Sequence, residues 1–314
     1  MSQALTRRQA LTAAAALPLA AGAMTAATRP AAAAAEMMGM GMAPYHRFKL
    51  GGFEVTTLLA GTRTVPDPQT IFGLSTPPED FAAAAEAAFI PTDRAQFFFT
   101  PTVVNTGTEL VLFDTGLNPD GITAALAAAG YAPDQVDTVV ITHMHGDHIG
   151  GLSGEAGATF PNARYVTGAM EHNHWSGAAN ENFDAKVRPL NEQIAFVDDG
   201  GAVASGITAM AAFGHTPGHM TYMIESEGQG LVLIADLANH YVFSLARPDW
   251  EVRFDMDKPA AAATRRRVLG MLAADRLPFI GYHMPFPALG YVAAEGDGFR
   301  YVPASYQMMM TDAG

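Results

Sequence analysis

The sequence contains no cysteine. Disulfides, thiolate zinc sites and a cysteine nucleophile are thereby excluded, and any transition-metal site must be built from histidine and carboxylate. Charge is scarce: 16% of the 314 residues are charged, with 18 Lys and Arg against 31 Asp and Glu, for a formal net charge of -13. A surface of that sign repels phosphate backbones, so a nucleic-acid partner is not expected. The alanine-rich stretch from Leu11 to Met24 is broken by Pro18 and Gly22, which argues against a permanent membrane helix. A Gly-x-Ser-x-Gly nucleophile elbow is missing as well. What remains is a chain that is 49% hydrophobic, enough to bury a substantial core.

Residues 1–35 read as an export signal rather than as folded structure. Arg7 and Arg8 precede the apolar stretch, and Ala33, Ala34 and Ala35 offer a small-residue exit before Glu36. The arginine pair points to the twin-arginine route, and thus to a periplasmic or secreted protein. Residues 36–47, rich in methionine, are expected to be a flexible start to the mature chain. Residues 48–314 show no short-period repeat and no dividing linker, and are read as one domain.

Within that domain, Phe48 to Leu59 predicts two strands about a Gly51-Gly52 turn, since Phe53, Val55 and Thr57 alternate with Glu54 and Thr56. Gly61 to Pro91 is rich in Pro and Gly and predicts a long loop holding a short helix near Phe81 to Ala88. Thr102 to Asn105 and Glu109 to Phe113 form a hairpin by spacing. Ile122 to Ala129 predicts a helix ended by Gly130. Thr138 to Thr142 is apolar enough for a strand buried on both faces. Ile194 to Val197, Ile207 to Ala212, Thr221 to Glu225, Leu231 to Ala235 and Pro278 to Tyr282 predict further strands, and Pro259 to Ala274 a helix with Val268, Leu269 and Leu272 on one face. Strands with helices in both halves predict an α/β fold of two sheets back to back with helices outside.

The segment Thr142-His143-Met144-His145-Gly146-Asp147-His148-Ile149-Gly150-Gly151 sits where a buried strand stops, the place where α/β folds put ligands. So many histidines and an aspartate in one short stretch are costly to desolvate without a partner, and a divalent cation is the natural one. Gly146, Gly150 and Gly151 give the backbone freedom to turn these side chains toward one point. Three later segments place ligand-type residues at strand ends: Gly214-His215-Thr216-Pro217-Gly218-His219 after the strand at Ile207, Asp236 after Leu231 to Ala235, and His283 after Phe279 to Tyr282.

Taken with Asp114-Thr115-Gly116, this ordered set strongly resembles the metallo-β-lactamase superfamily, from about Phe48 to Tyr301. The resemblance implies an αββα sandwich with a metal site at one edge of the two sheets. It implies that His143, His145 and His215 hold one divalent ion, that Asp147, His148 and His283 hold a second, and that Asp236 bridges them. The ions are expected to be zinc, with manganese, cobalt and iron also suited to such donors. Asp114 is expected to support the ligands through hydrogen bonds, and His219 to be a supporting residue rather than a ligand. Within the superfamily, GHTPGHMTYMIES, Ala235-Asp236-Leu237 and the segment from His283 to Pro303 resemble methyl parathion hydrolase and its relatives, with N-acyl homoserine lactone lactonases as neighbouring members. Such lactonases commonly carry a tyrosine three residues after the bridging aspartate. Here that position is Asn239, and Tyr241 is the candidate substitute.

The chemistry so implied is opening of an uncharged lactone or ester, such as an N-acyl homoserine lactone, by a metal-bridging hydroxide, with Asp147 and Asp236 as the catalytic carboxylates. Organophosphate triester hydrolysis and periplasmic β-lactam hydrolysis are the alternative activities. A non-catalytic metal-binding protein is the alternative of another class; it would tend to close its coordination sphere, whereas this set leaves room for water. Phe97, Phe98, Phe99, Trp175, Phe183 and Phe286 are candidate walls of an apolar substrate pocket, with Tyr241 beside them. The expected partner is a small-molecule substrate, and a second copy of the chain is suggested by the dimers common among such relatives.

Overall fold

The computed structural model describes residues 37–310; residues 1–35, read as an export signal, lie outside that range. Residues 37–41 carry no regular secondary structure and are followed by one compact unit from Met42 onward. In chain order its strands are β1 (Tyr45–Leu50), β2 (Phe53–Leu58), β3 (Gly61–Pro66), β4 (Arg94–Phe99), β5 (Thr102–Asn105), β6 (Leu110–Phe113), β7 (Thr138–Ile141), β8 (Ser153–Gly154), β9 (Gly157–Ala158), β10 (Arg164–Gly168), β11 (Ile194–Val197), β12 (Ala202–Ala204), β13 (Ile207–Ala211), β14 (Met220–Ser226), β15 (Gln229–Ala235), β16 (Phe279–Gly281), β17 (Leu289–Glu295) and β18 (Gly298–Pro303). The α-helices are α1 (Pro78–Ala87), α2 (Pro119–Ala128), α3 (Gly146–Ile149), α4 (Ala169–Gly177), α5 (Glu181–Lys186) and α6 (Lys258–Asp275). Among the described residues no helix is long and apolar enough to cross a membrane.

Two seven-stranded sheets carry the fold, ordered β1-β2-β5-β6-β7-β10-β11 and β12-β13-β14-β15-β16-β17-β18. The near-continuous apolar runs of the first sheet are explained by burial on both faces. Val104, Val111, Phe113, Val140 and Val166 point into the core shared with the second sheet, where they meet residues such as Tyr222, Leu231 and Leu233. Their neighbours Val103, Leu112, Val139, Ile141 and Tyr165 point the other way, into a core covered by Ile122 and Leu126 of α2 and Phe183 of α5. This period-two division follows from the pleat. On the far side, α6 lays Val268, Leu269 and Leu272 against the second sheet. The layering is the αββα sandwich that the sequence predicts.

The differences are local. β1 begins at Tyr45, ahead of residue 48, because Tyr45, His46 and Arg47 pair with Leu58, Thr57 and Thr56 across the hairpin. The region expected to be a loop holds β3, paired in antiparallel register with β4 from Gly61↔Phe99 to Pro66↔Arg94. Its exposed Thr62, Arg63 and Thr64 hide the alternation that would have announced a strand. Phe97 to Phe99 belong to its partner, β4. The hairpin β17–β18 completes the second sheet. A third apolar cluster, with Phe72, Phe81, Phe97 and Phe243, lies between the β3–β4 ribbon, α1 and the π-helical turn Tyr241–Leu245.

Candidate metal centre

The donor residues come from loops after β7, β13, β15 and β16. His143 and His145 follow β7, and Asp147 and His148 ride on the short helix α3. The close packing of this loop explains the glycines. A Cβ on Gly150 would come within 2.1 Å of the Leu117 carbonyl oxygen, and one on Gly218 within 2.1 Å of the Glu171 amide nitrogen. The Gly150 requirement is therefore proximity rather than conformational freedom, since its φ is an ordinary -59°.

Donor atoms of His143, His145, His215 and Asp236 lie within 4.8 Å of one another, and so do those of Asp147, His148 and His283. His145 Nδ1 is 3.1 Å from His143 Nε2 and 3.0 Å from His215 Nε2. The edge of a zinc tetrahedron with bonds of about 2.0–2.1 Å is roughly 3.3 Å, so these nitrogens are spaced as ligands of one ion would be. Asp236 touches both groups: Oδ1 is 3.2 Å from His148 Nε2, and Oδ2 is 3.3 Å from both His215 Nε2 and His283 Nε2. His148 Nε2 and Asp236 Oδ1 are buried 3.2 Å apart and make no hydrogen bond outside the cluster. Buried donor atoms that meet only one another are costly inside a protein, and a cation of the kind that imidazole and carboxylate bind would satisfy them. The residues therefore fit two divalent ions.

Hydrogen bonds behind the donors fix four of the five imidazoles. His148 Nδ1 bonds Asp114 Oδ2 at 2.9 Å, and the same carboxylate accepts from the Thr142 amide and hydroxyl. His143 Nδ1 meets Thr142 Oγ1 at 3.1 Å, and His283 Nδ1 donates to the Phe98 carbonyl at 2.8 Å. His215 Nδ1 bonds Asp255 Oδ1 at 2.9 Å, and Arg265, fully buried on α6, donates to Asp255 Oδ2 at 2.7 Å. His219 Nε2 accepts from the Asp236 amide at 3.1 Å while its Nδ1 bonds the Ala212 carbonyl. It thus positions the Asp236 backbone and does not join the donor cluster. Asn239 Nδ2 donates to Asp236 Oδ2 at 2.8 Å.

Glu171 ties two metal loops together. Its buried carboxylate accepts from the Met144 amide and Trp175 indole on one oxygen, and from the Thr216 hydroxyl and Gly218 amide on the other. Sequence reasoning passed over Glu171, Asp255 and Arg265. Glu171 stands beside His172, which packs against Phe183 and bonds Asn191.

Within the cluster the charges are strongly interdependent. Burial opposes ionisation of His215, but its hydrogen bonds to Asp236 and Asp255 outweigh that and hold it at about 9. His283 also stands at about 9, burial being overcome by Asp236 and Asp147. His145 is driven down to about 3 by burial and by the neighbouring His215. Burial would raise Asp147, yet His148 and His283 bring it to about 2. An array of this kind is poised to exchange protons for metal.

The metallo-beta-lactamase superfamily model matches residues 100–278, more than half of the chain. The chain belongs to the metallo-beta-lactamase superfamily. Among curated members, an N-acyl homoserine lactonase of Bacillus cereus is 27% identical over 115 residues, covering 37% of this chain and 43% of that protein. A beta-lactamase-like protein 2 homolog of Caenorhabditis elegans is 26% identical over 161 residues, covering 46% of this chain and 50% of that protein. The chain thus spans half or less of the length of these relatives. Among solved structures, the dizinc quorum-quenching lactonase AidC superposes with a TM-score of 0.78 at 24% identity, over 84% of this chain and 98% of that one. The superfamily hydrolase AbOPH gives 0.77 at 24% identity, over 85% of this chain and all of that one. These superpositions establish the fold.

The cluster opens into a cavity of about 770 Å³ whose lining includes His145, Asp147, Asp236 and His283. Phe97 and Phe99 form part of its wall, together with Ile71, Leu117 and Phe254. Trp175, Phe183, Tyr241 and Phe286, candidates from sequence, do not line it. Trp175 supports the metal loop from behind, its indole bonded to Glu171 and its ring against His145. Phe183 is fully buried under the first sheet, and Tyr241 packs against His240 and Tyr301. Phe286 lies in the turn before β17, joined to Pro287 by a cis peptide. The wall is also less apolar than expected, since Arg63, Lys186 and Arg253 contribute to it.

Proposed function

We propose that this protein is a dinuclear metal-dependent hydrolase that opens a lactone or ester with an uncharged reacting group. The observation that carries the reading is the gathering of seven donors in two adjoining sets, four of them on the cavity wall, with His148 Nε2 and Asp236 Oδ1 making no hydrogen bond outside the cluster. His143, His145 and His215 would hold one ion and Asp147, His148 and His283 the other, with Asp236 shared. Bound there, two divalent ions supply Lewis acidity for a substrate oxygen and acidify water to near neutrality. Zinc is the ion proposed.

The protein's own residues do the rest. Asp114, Asp255 and the Phe98 carbonyl keep the imidazoles aimed. Asp147, the most exposed of the donor carboxylates, is placed to carry a proton to the leaving group at its cavity-facing oxygen. Phe97 and Phe99 exclude water and hold an acyl or aryl portion. The partial likeness to N-acyl homoserine lactonases supports a lactone as the main substrate. The resemblance of His283 to Pro303 to methyl parathion hydrolase relatives supports a phosphotriester as a side activity. The reading includes export by the twin-arginine route, on the strength of Arg7 and Arg8.

The test is metal analysis with a substrate panel: acyl homoserine lactones, an aryl lactone, a paraoxon-type triester, a cephalosporin and a glutathione thioester. Lactone turnover is expected to exceed the others and to vanish with metal in Asp236→Ala. Near-normal turnover and unchanged metal content in that variant would refute the assignment.

A further inference from the structure

The mouth of the cavity carries charge that the proposed chemistry does not use. Arg63 on β3 is the cross-strand partner of Phe97, so the two side chains share one face of the ribbon, and both line the cavity. Arg253 reaches the same cavity with its guanidinium 4.9 Å from the Phe254 ring, and Phe254 meets Phe97 edge-on at 6.4 Å. Phe97 in turn stands 5.2 Å from His283. The wall therefore runs from metal ligand through aromatic rings to arginine.

Among the described residues neither guanidinium is paired with a carboxylate, whereas Arg94, Arg188, Arg265, Arg266 and Arg300 each hold one. Lys186, the third cation of the wall, is tethered by a 2.5 Å bond to the Ser153 carbonyl. Of the carboxylates lining the cavity, Asp147 and Asp236 belong to the donor cluster, which leaves Asp67 alone at the mouth against two arginines. In a chain of net charge -13, two unpaired arginines at the entrance form a local reversal of sign.

We infer that Arg63 and Arg253 bind a carboxylate, or an equivalent anionic group, at the end of the substrate remote from the scissile bond. This rests on the hydrolase reading and deepens it: the substrate is neutral where it reacts, apolar in the middle and anionic at its tail. Guanidinium suits the role because it donates in a fixed fork to carboxylate oxygens and lies flat on aromatic rings. The aromatic backing lowers the local dielectric constant and strengthens the contact relative to open water.

Binding and turnover test it separately. On the zinc-loaded protein at low ionic strength, the anilide of hexanoic acid and the mono-anilide of adipic acid serve as non-reacting probes that differ by a terminal carboxylate. The adipic probe is expected to bind about tenfold tighter, the scale of a hydrogen-bonded charge pair. The preference should vanish in Arg63→Ala/Arg253→Ala, persist in part in Arg63→Lys, and shrink as salt is added. In the double variant, kcat/KM for a lactone with a terminal carboxylate should fall about tenfold more than kcat/KM for its neutral analogue, the ratio being read within each variant. Equal binding of the two probes, or a preference that survives the double substitution because the carboxylate sits on the metals, would overturn the inference. Loss of neutral lactone turnover in the wild type alone would count against the hydrolase reading, with probe binding still deciding the anion site.

Discussion

His215 takes its direction from a carboxylate far along the chain, and that carboxylate depends on a buried guanidinium. Asp255 accepts from both His215 and Arg265, and Arg265 also donates to the Pro248 and Trp250 carbonyls. Removing the carboxylate strands a charge in the interior, whereas replacing it by an amide keeps the shape. Asp255→Ala is expected to destabilise the protein by about 3–5 kcal/mol, the usual cost of leaving one member of a buried ion pair alone. Asp255→Asn should fold and lose roughly 10–100-fold in metal affinity, measured by competition with a chromophoric chelator. Wild-type metal affinity in the amide variant would show that the Asp255–His215 bond is not used. None of this was legible in the sequence. The donor histidines announce themselves because they crowd together after apolar strands. Asp255 and Glu171 are solitary acids whose partners come from other loops. Aromatic side chains misled for a related reason: Phe97, Trp175 and Phe183 look alike in sequence, and only the fold decides which faces a void, which backs a loop and which fills a core.

The strands were easier to read than the ribbon above them. Val139, Val140 and Ile141 of β7 are all apolar because each face of that strand meets a separate core, and such runs stand out. β3 has one face in solvent and its register set by β4, so its own residues say little. α6 was legible from Val268, Leu269 and Leu272, though Arg265 on the same buried face was not. Its role is divided along its length: apolar residues hold the helix to the second sheet, and Arg265 reaches the site. Leu269→Ala should therefore cost about 2–5 kcal/mol of global stability in denaturant titrations, as large-to-small core changes do. Metal content and kcat/KM at a temperature where the variant is folded should match the wild type. A selective loss of metal would mean that the helix does not divide its labour in this way.

For the molecule as a whole, the donor cluster links proton binding, metal binding and stability. In the metal-free protein His215 and His283 are held at about 9 against an unfolded value near 6.5, so the folded state binds protons the unfolded state releases. Their contribution to stability is complete below about pH 6.5 and is lost as pH rises through about 9. Ligand imidazoles must shed those protons to take a cation, so metal binding strengthens over the same interval. The melting temperature of chelator-treated protein is accordingly expected to fall from pH 6.5 to 9, while the rise in melting temperature on adding zinc grows. A metal-free melting temperature that stays flat or climbs over that interval would contradict the ion-pair description of the cluster.

The distribution of the donors along the polypeptide has a chronological consequence. His143, the first donor, precedes His283, the last, by 140 residues. A nascent polypeptide therefore cannot present the full set of donors until His283 has been made, and a cation met earlier would find only part of the proposed cage. Complete loading of the proposed site waits for β16 to be made and docked beside β15.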